Sequence, residues 1–541
     1  MKIEMCGIWA ALGRSRKLTP EIAHALVAAL LPRGPEYQTV QDVSGAPVTL
    51  GFTRLAINGL TPAGHQPFHA DDIHIVCNGE IYNYKELAAR WDISLPEGTS
   101  DCAVLPHLLR RLPLQEVCRT LDGVFAFVAV DTRHQKVYVA RDPYGVRPLY
   151  HAVDDCVHYF SSEMKGLPAC CDAIEAFSPG TCATYNFHGE LLEIQAYHAI
   201  THVKIPLFED RAAAQHALRC ALETAVKKRL LSDRPIGALL SGGLDSSLIA
   251  AIAAKELGAQ GKKLNTFSIG MPGSTDLFYA RKVAEHIGSI HHEILVSPED
   301  FLAAIPTVVE IAETYDITSV RATVGNYLVG KYIKENTDIK VVFNGDGSDE
   351  VGGGYLYFFA APSDEEFEAE TERLLKTIHL YDVLRSDRGM AANGLEARTP
   401  FLDKAVVATW LSIPTRLRRP VKGARVEKQV LREAFEGTSL LPRDVLWRKK
   451  EAFSDGVSST ADSWYLRCVA YAQGLGKTLE VIKEETAGLH NPPQTEEAYW
   501  YRSLFREKYG DVAATVLPAM WMPRWIAGAS DPSARTLKEL Y

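Results

Sequence analysis

Apolar and polar positions along this chain follow two rhythms. Up to about residue 200, short β-branched or apolar runs end in turn residues: Val48–Ile57, Ile73–Cys77, Val124–Asp131 and Lys136–Ala140. Such runs predict strands, and the last two, split by Thr132–Gln135, predict a hairpin. Helical spacing recurs at Glu21–Leu31 and Ala103–Leu112. This half reads as packed sheets covered by helices. From about residue 210 the pattern alternates. Ile236–Leu240, Leu264–Ile269 and Val341–Phe343 predict strands, and Ser246–Leu257 and Asp276–Ile287 predict helices. Strands alternating with helices predict a parallel sheet. The C-terminal third has a mostly helical pattern. Neither period holds over His198–Asp210, which is the expected boundary.

Composition narrows the function classes. With 541 residues the chain exceeds one hydrophobic core, so two or more domains are expected. Hydrophobic residues at 47% and charged residues at 23% are ordinary for a globular protein. A net charge of −9 argues against a general nucleic-acid binder. No run reaches the ~18 apolar residues of a membrane span, and no secretory signal pattern opens the chain. The ten cysteines form no CxxC pair, so neither a zinc ribbon nor thioredoxin chemistry is expected. A reduced, cytoplasmic enzyme fits these features.

The most specific stretch is Ser241-Gly242-Gly243-Leu244-Asp245-Ser246-Ser247, after a predicted strand and opening a predicted helix. Glycines let the backbone approach a phosphate closely, and a helix N-terminus offers free N–H groups. The serine hydroxyls can donate further bonds. Asp245 suits a Mg²⁺ that bridges to phosphate oxygens. The stretch is no Walker loop, because the GK[ST] ending is missing. In open α/β sheets ligands sit at the carboxyl ends of strands. Leu239 and Ile269 end two such strands and are expected adenosine contacts. Asn344-Gly345 ends a third and runs into Asp346, Asp349 and Glu350. Three carboxylates so close repel one another unless cations offset them.

In the first half, Cys6-Gly7-Ile8-Trp9 by itself fits a thiol embedded in a strand. Six further stretches follow in order: Arg33-Gly34-Pro35, Gly51–Ile57, Cys77–Asn83, Ser100-Asp101, Leu121-Asp122-Gly123, and Arg141-Asp142-Pro143-Tyr144-Gly145. A glutamine substrate carries a carboxylate, an ammonium and a side-chain amide. Arg54 offers a bidentate fork for the carboxylate. Asp101 and the Glu80 region can hold the ammonium. Asn78 and Gly79 can supply oxyanion-hole donors. Each residue also has a plainer reading: Arg54 as a surface charge, Asp101 as a helix N-cap.

These first-half stretches resemble, in order, the glutaminase domain of class II amidotransferases, and the Ser241–Ser247 loop resembles that of ATP pyrophosphatases. The pair resembles the glutamine-hydrolysing asparagine synthetase family over nearly the whole chain. Glu313–Thr318 with Arg321, Gly394–Asp403, Trp447–Gly456 and Asp531–Arg535 add to the likeness. The resemblance implies an αββα sandwich of N-terminal-nucleophile type at 6–200. A doubly wound parallel-sheet ATP-pyrophosphatase domain with a helical C-terminal part follows at 210–530. It implies Cys6 as nucleophile, with its own α-amine as base, and glutamine held by Arg54, Leu55, Ala56, Ile57, Asn58, Asn78, Gly79, Glu80 and Asp101. It implies ATP bound by Leu239, Ser241, Gly242, Gly243, Asp245, Ser246, Ser247, Ile269, Asn344 and Gly345, and Mg²⁺ held by Asp245 and Asp349. Arg321, Asp346 and Lys450 complete the implied catalytic set. Lys450 could equally be a solvated charge in a basic trio. Glutamine, aspartate and ATP are the implied substrates, with no nucleic acid or membrane partner, and a homodimer is the suggested assembly.

Three positions depart from the family pattern. Met1–Met5 precede Cys6 and must be absent for its amine to be free, by initiation at Met5 or cleavage of a leader. Asp346 stands where close members carry glutamate. Pro32-Arg33-Gly34-Pro35-Glu36 stands where the family has His-Arg-Gly-Pro-Asp. Two rival readings follow: an ammonia-dependent synthetase with an inactive glutaminase, and an amidotransferase acting on another carboxylate.

Overall fold

Among the described residues, twelve strands build the first half: β1 (Gly7–Leu12), β2 (Tyr37–Asp42), β3 (Val48–Arg54), β4 (Phe68–Ala70), β5 (Ile73–Ile81), β6 (Gly123–Asp131), β7 (Lys136–Arg141), β8 (Tyr150–Asp154), β9 (Val157–Ser161), β10 (Ala173–Ala176), β11 (Thr181–Asn186) and β12 (Leu191–Ala196). They form two six-stranded sheets, ordered β10-β8-β9-β1-β3-β2 and β12-β11-β7-β6-β5-β4. All their recorded pairings are antiparallel. The predicted hairpin closes with Asp131 opposite Lys136. This computed structural model describes residues 6–13, 18–202, 207–208, 210–529 and 531–540. Met1–Met5, and with them the question of a free Cys6 amine, lie outside the described residues.

Side-chain alternation sets the layers. In β1, Ile8, Ala10 and Leu12 join Ala126, Val128 and Val130 of β6 in the core between the sheets. Trp9 and Ala11 point the other way, against Ala23 and Val27 of helix α1 (Pro20–Ala28). On the far side Phe125, Phe127 and Ala129 pack under the helical segment that includes Leu105, Leu108 and Val117. Both faces of each sheet are therefore covered, giving an αββα sandwich. That double cover explains why Val124–Val130 reads as a continuous apolar run rather than an alternating one.

The expected helix at Ala103–Leu112 is shorter. A 3₁₀ turn, Asp101–Val104, leads into a helix at Leu105–Leu109. Ser100, not Asp101, caps it, accepting from the Cys102 N–H.

The second half starts with helix α2 (Arg211–Lys228). Five parallel strands follow: β13 (Ile236–Leu239), β14 (Asn265–Gly270), β15 (Ile290–Leu295), β16 (Val341–Phe343) and β17 (Glu396–Arg398). Their order is β15-β14-β13-β16-β17. The chain steps outward one way from β13, then returns to place β16 on its other side. The switch point between β13 and β16 is where a doubly wound sheet opens a crevice at its carboxyl end. Helices α3 (Leu244–Gly258), α4 (Thr275–Ile287), α5 (Pro298–Ala312), α6 (Ile317–Asn336), α7 (Asp382–Ala391) and α8 (Glu496–Ala514) are the main helices around it. Val341, Val342 and Phe343 are fully buried, so three residues suffice for a central strand.

The halves share their cores. One apolar cluster joins Trp9, Val27, Tyr150 and Met164 to Phe267, Phe301, Tyr315 and Trp464. A second joins Tyr144 and Val146 to Leu222, Leu248 and Phe401.

Candidate active sites

Cys6 enters β1, and Gly7 pairs with Thr53 of β3, so the segment after β3 lies beside the thiol. The Leu55 N–H donates to Cys6 Sγ, and the thiol reaches the Leu55 carbonyl, both at 3.3 Å. Burial pushes the Cys6 thiol up to about 12, against the opposing Leu55 hydrogen bond and Arg54 charge. Cys6 packs against an apolar cluster made of Leu55 and Ile57 from its own half and Val341 and Ala391 from the other. Asn78 Nδ2 is buried with no hydrogen-bond partner among the described residues. A buried N–H₂ with nothing to bond is costly unless a ligand supplies an acceptor.

The other expected glutamine contacts are more committed. Arg54 is buried rather than a surface charge. Its terminal nitrogens donate to the carbonyls of Thr61, at 2.9 Å, and of Gly59. The loop after β3 needs its carbonyls satisfied, and Arg54 does this. Asp101 is buried, accepting from Ile81 N–H at 2.5 Å and Ser100 Oγ at 3.0 Å. Glu80 takes the Asn58 amide and lies 3.3 Å from Arg398. Burial, with Asp101 nearby, raises its pKa well above the carboxylate range. Ala56 N–H donates to Glu36 at 2.7 Å.

Residues of the second half that motif reading passed over grip this same loop. Arg234 donates to the Ala56 carbonyl at 2.8 Å and to Glu36 at 2.7 Å. Asp233 accepts from the Gly59 N–H at 2.8 Å. Within the stretch Gly394–Asp403, Glu396 pairs with Arg147 of the sandwich at 2.9 Å. Arg398 reaches Glu80. That stretch therefore serves the junction between the halves.

A cavity of ≈ 170 Å³ opens at the switch point. Leu239, Ser241, Gly243, Asp245, Ser246, Ile269, Asn344, Gly345, Asp346 and Asp349 line it, with Lys450. Gly242 and Ser247 do not line it, and Ser247 is fully buried. Gly242 has a φ of +70°, and a Cβ there would meet Ala280 N at 2.4 Å, so only glycine fits. Gly243 caps α3 with no side-chain bond, leaving the first helical N–H groups available to an anion. Ser241 and Ser246 share a hydroxyl bond at 2.9 Å. Gly345 passes so close to α3 that a Cβ would lie 2.7 Å from Ser246 N, which joins the two loops.

Cations do offset the acidic loop. Lys428 Nζ donates to both Asp245 oxygens, at 2.8 and 2.7 Å, and to Asp349 at 2.6 Å. Lys450 Nζ takes the other Asp349 oxygen at 2.5 Å, so it is no solvated charge. Burial pushes Asp349 up, but the two ammonium groups outweigh it and hold it well below the usual range. Asp346 accepts from Asn344 Nδ2 at 2.7 Å and faces Arg385 at 3.2 Å. Burial pushes its pKa up to about 6, opposed by Arg385 and aided by Asp382. Lys428 was missed because its partner Asp245 lies 183 residues away.

Arg321 stands apart. It does not line the cavity, although Thr318, Ser319 and Ala322 of the same helix do. Its guanidinium is spent on Glu497 at 2.8 and 2.6 Å and on Asp531 at 2.9 and 2.7 Å. Two carboxylates face it from α8 and the C-terminal segment.

Among the described residues, no group of three or more His, Cys, Asp or Glu side chains forms a metal cage. Asp245 and Asp349 nevertheless converge on one point, the Lys428 ammonium. Mg²⁺ is commonly held by one or two carboxylates, with waters and substrate phosphates completing its shell. The donor set fits that mode.

Fold and sites define a two-module enzyme, an amide-handling αββα sandwich set against a nucleotide-type parallel sheet. The family model for a glutamine amidotransferase domain matches residues 5–205, and that for asparagine synthase matches 217–369 and 360–526. The chain is 42% identical to an asparagine synthetase [glutamine-hydrolyzing] of Gallus gallus, over 99% of both chains. It is 41% identical to that of Homo sapiens, over 98% of both. Among solved structures it resembles a glutamine phosphoribosylpyrophosphate amidotransferase from B. subtilis, at 16% identity and a TM-score of 0.33, over 54% of this chain and 81% of that one. The chain belongs to the glutamine-hydrolysing asparagine synthetase family, enzymes that make asparagine with glutamine as nitrogen donor. No described helix is long and apolar enough to cross a membrane.

Proposed function

We propose that the two sites work in series, with ammonia passing between them inside the molecule. Cys6 attacks the glutamine amide and forms a glutamyl thioester, releasing ammonia. Water then frees glutamate. The base is the Cys6 α-amine, whose ordinary pKa of about 8 suits a proton exchange near neutrality. A buried thiol pushed up to about 12 needs such a base at hand. This reading requires Met1–Met5 to be absent from the working enzyme. The unpartnered Asn78 amide supports a role in holding the tetrahedral oxyanion.

At the second site the aspartate side-chain carboxylate attacks the α-phosphorus of ATP, giving β-aspartyl-AMP and pyrophosphate. Ammonia then displaces AMP and leaves asparagine. The Ser241–Ser247 loop holds the pyrophosphate, and Lys428 and Lys450 offset the growing phosphate charge. Mg²⁺ held by Asp245 and Asp349 would screen the triphosphate. Asp346, with Arg385, is the candidate for orienting aspartate. Arg321 is too committed to Glu497 and Asp531 to support a direct role.

The observation that carries this reading is the apolar cluster Leu55, Ile57, Val341 and Ala391, against which Cys6 packs. It is apolar, it belongs to both modules, and β16 leads from it to the Asn344 loop. A dry path keeps ammonia unprotonated and nucleophilic. Two assays test the series: aspartate-dependent ATP–pyrophosphate exchange, and asparagine formation from glutamine or ammonia by wild type and Cys6→Ala. Cys6→Ala should lose the glutamine reaction and keep the ammonia one. Exchange without aspartate would sink the β-aspartyl-AMP step.

A further inference from the structure

The segment Arg448–Ser454 forms part of the wall of the ATP-site cavity. It brings Lys450 onto Asp349 at 2.5 Å and Arg448 to the Ser241 carbonyl at 3.3 Å. Arg448–Ala452 lies between two single-turn helices, Arg443–Leu446 and Phe453–Gly456. It has no ladder of its own, so contacts from other segments set its place.

The stretch Asp531–Arg535 supplies such contacts. Asp531 is anchored on Arg321 of α6, at 2.9 and 2.7 Å. Ser533 Oγ donates to Asp455 at 2.7 Å. Arg535 does not line the cavity, but it grips the chain that does. Its Nη2 donates to Glu451 at 3.0 Å and to the Asp455 and Ser458 carbonyls at 2.6 and 2.9 Å. Its Nη1 donates to the Ser459 carbonyl at 2.6 Å and to Ser463 Oγ at 2.8 Å. The Arg535 side chain is only 5% exposed.

Glu451 is the link to the chemistry, because it directly follows Lys450. Its second oxygen takes Thr275 Oγ1 at 2.6 Å and Arg448 at 3.2 Å. Arg535 completes its fixation by holding the first oxygen. A guanidinium fork is rigid and loses little freedom per bond formed, which suits it to this task. Small displacements matter here, since a misplacement of about 1 Å can cost ~10²-fold in rate.

We propose that Arg535 is a positioning residue for the ATP-consuming step. It fixes Glu451 and, through Glu451, the place of the Lys450 ammonium. The proposal rests on the reading that Lys450 offsets charge growing on the phosphates. Arg535 itself touches no substrate.

The test is aspartate-dependent ATP–pyrophosphate exchange by the full enzyme, in a cycle of Arg535→Met, Lys450→Met and the double variant. Arg535→Met should lower kcat by about tenfold or more, within the range of a misplaced catalytic group. The KM for ATP should move less than about twofold, because only a transition-state interaction is lost. Lys450→Met should fall by ~10²–10³-fold. In the Lys450→Met background, adding Arg535→Met should cost no more than about twofold, whereas independent effects would multiply in full. Glutaminase measured without ATP or aspartate should stay near wild type in Arg535→Met and reports an intact fold. If Arg535→Met does not fold, Arg535→Lys keeps a cation without the fork, and its smaller loss should likewise vanish in the Lys450→Met background. Wild-type exchange in Arg535→Met overturns the proposal. So does a loss that recurs in full without Lys450, and so does failure of both Arg535 variants to fold. Unchanged exchange in Lys450→Met is a different result: it removes Lys450 from the reaction, and the proposal falls with that assignment.

Discussion

At the scale of single residues, Asp346 carries a measurable electrostatic cost. Its pKa in the folded chain rises from 3.8 to about 6, because burial and Asp382 outweigh Arg385. Below pH 3.8 the group is protonated whether folded or not. Between 3.8 and 6 the unfolded chain ionises it while the folded chain keeps the proton, so stability falls as pH rises. Above 6 the loss is complete. Asp346→Asn should therefore be more stable than wild type above pH 6, with the gain shrinking to nothing below pH 3.8. Urea midpoints taken across that window check both sign and position. Lys428 makes a second prediction at this scale. Lys428→Met leaves Asp245 without its ammonium partner, and exchange of pyrophosphate should fall by ~10²–10³-fold, as for loss of one preorganised donor. Unchanged exchange in Lys428→Met would remove it from the site. Motif reading found Asp245 and Asp349 because each sits in a short, distinctive stretch. It missed Lys428 and Arg234, whose neighbours in sequence are ordinary and whose partners, Asp245 and Glu36, lie far away along the chain.

Among the elements, the β13 loop and the start of α3 were legible because one contiguous stretch makes turn, cap and cradle. The 131–136 hairpin was legible for the same reason. Asp101 was not, since only the fold decides whether its carboxylate caps a helix or turns inward to Ile81. Arg321 poses the opposite case. Its motif is intact, but α8 and the C-terminal segment bring Glu497 and Asp531 onto it. The ion pairs of Arg321 thus tie α6 to α8 and to the C-terminal segment. Breaking a buried ion pair by removing one partner costs about 3–5 kcal/mol. Arg321→Met should lose stability on that order, seen as a lower denaturant midpoint. A variant of wild-type stability that fails only in exchange would return Arg321 to catalysis.

Over the whole molecule, two apolar clusters and several buried ion pairs span the junction. Domains joined by a polar linker move independently, but a large apolar interface suppresses that motion. Thermal unfolding should accordingly show one transition, with loss of glutaminase and of pyrophosphate exchange at the same temperature. Two separated transitions would contradict a shared core. The strand and helix rhythms gave each layer of the molecule but carried no sign of this junction. Its residues read as ordinary core in their own half, and only the assembled fold shows that their neighbours come from the other.

The shared core also constrains ancestry and engineering. A chain cut between residues 198 and 210 would divide both apolar clusters, leaving Trp9, Val27 and Tyr150 on one fragment and Phe301, Tyr315 and Trp464 on the other. Neither fragment could be traded for a homologous cassette without repacking its counterpart. A substitution at one side of the seam is therefore expected to call for compensation at the other.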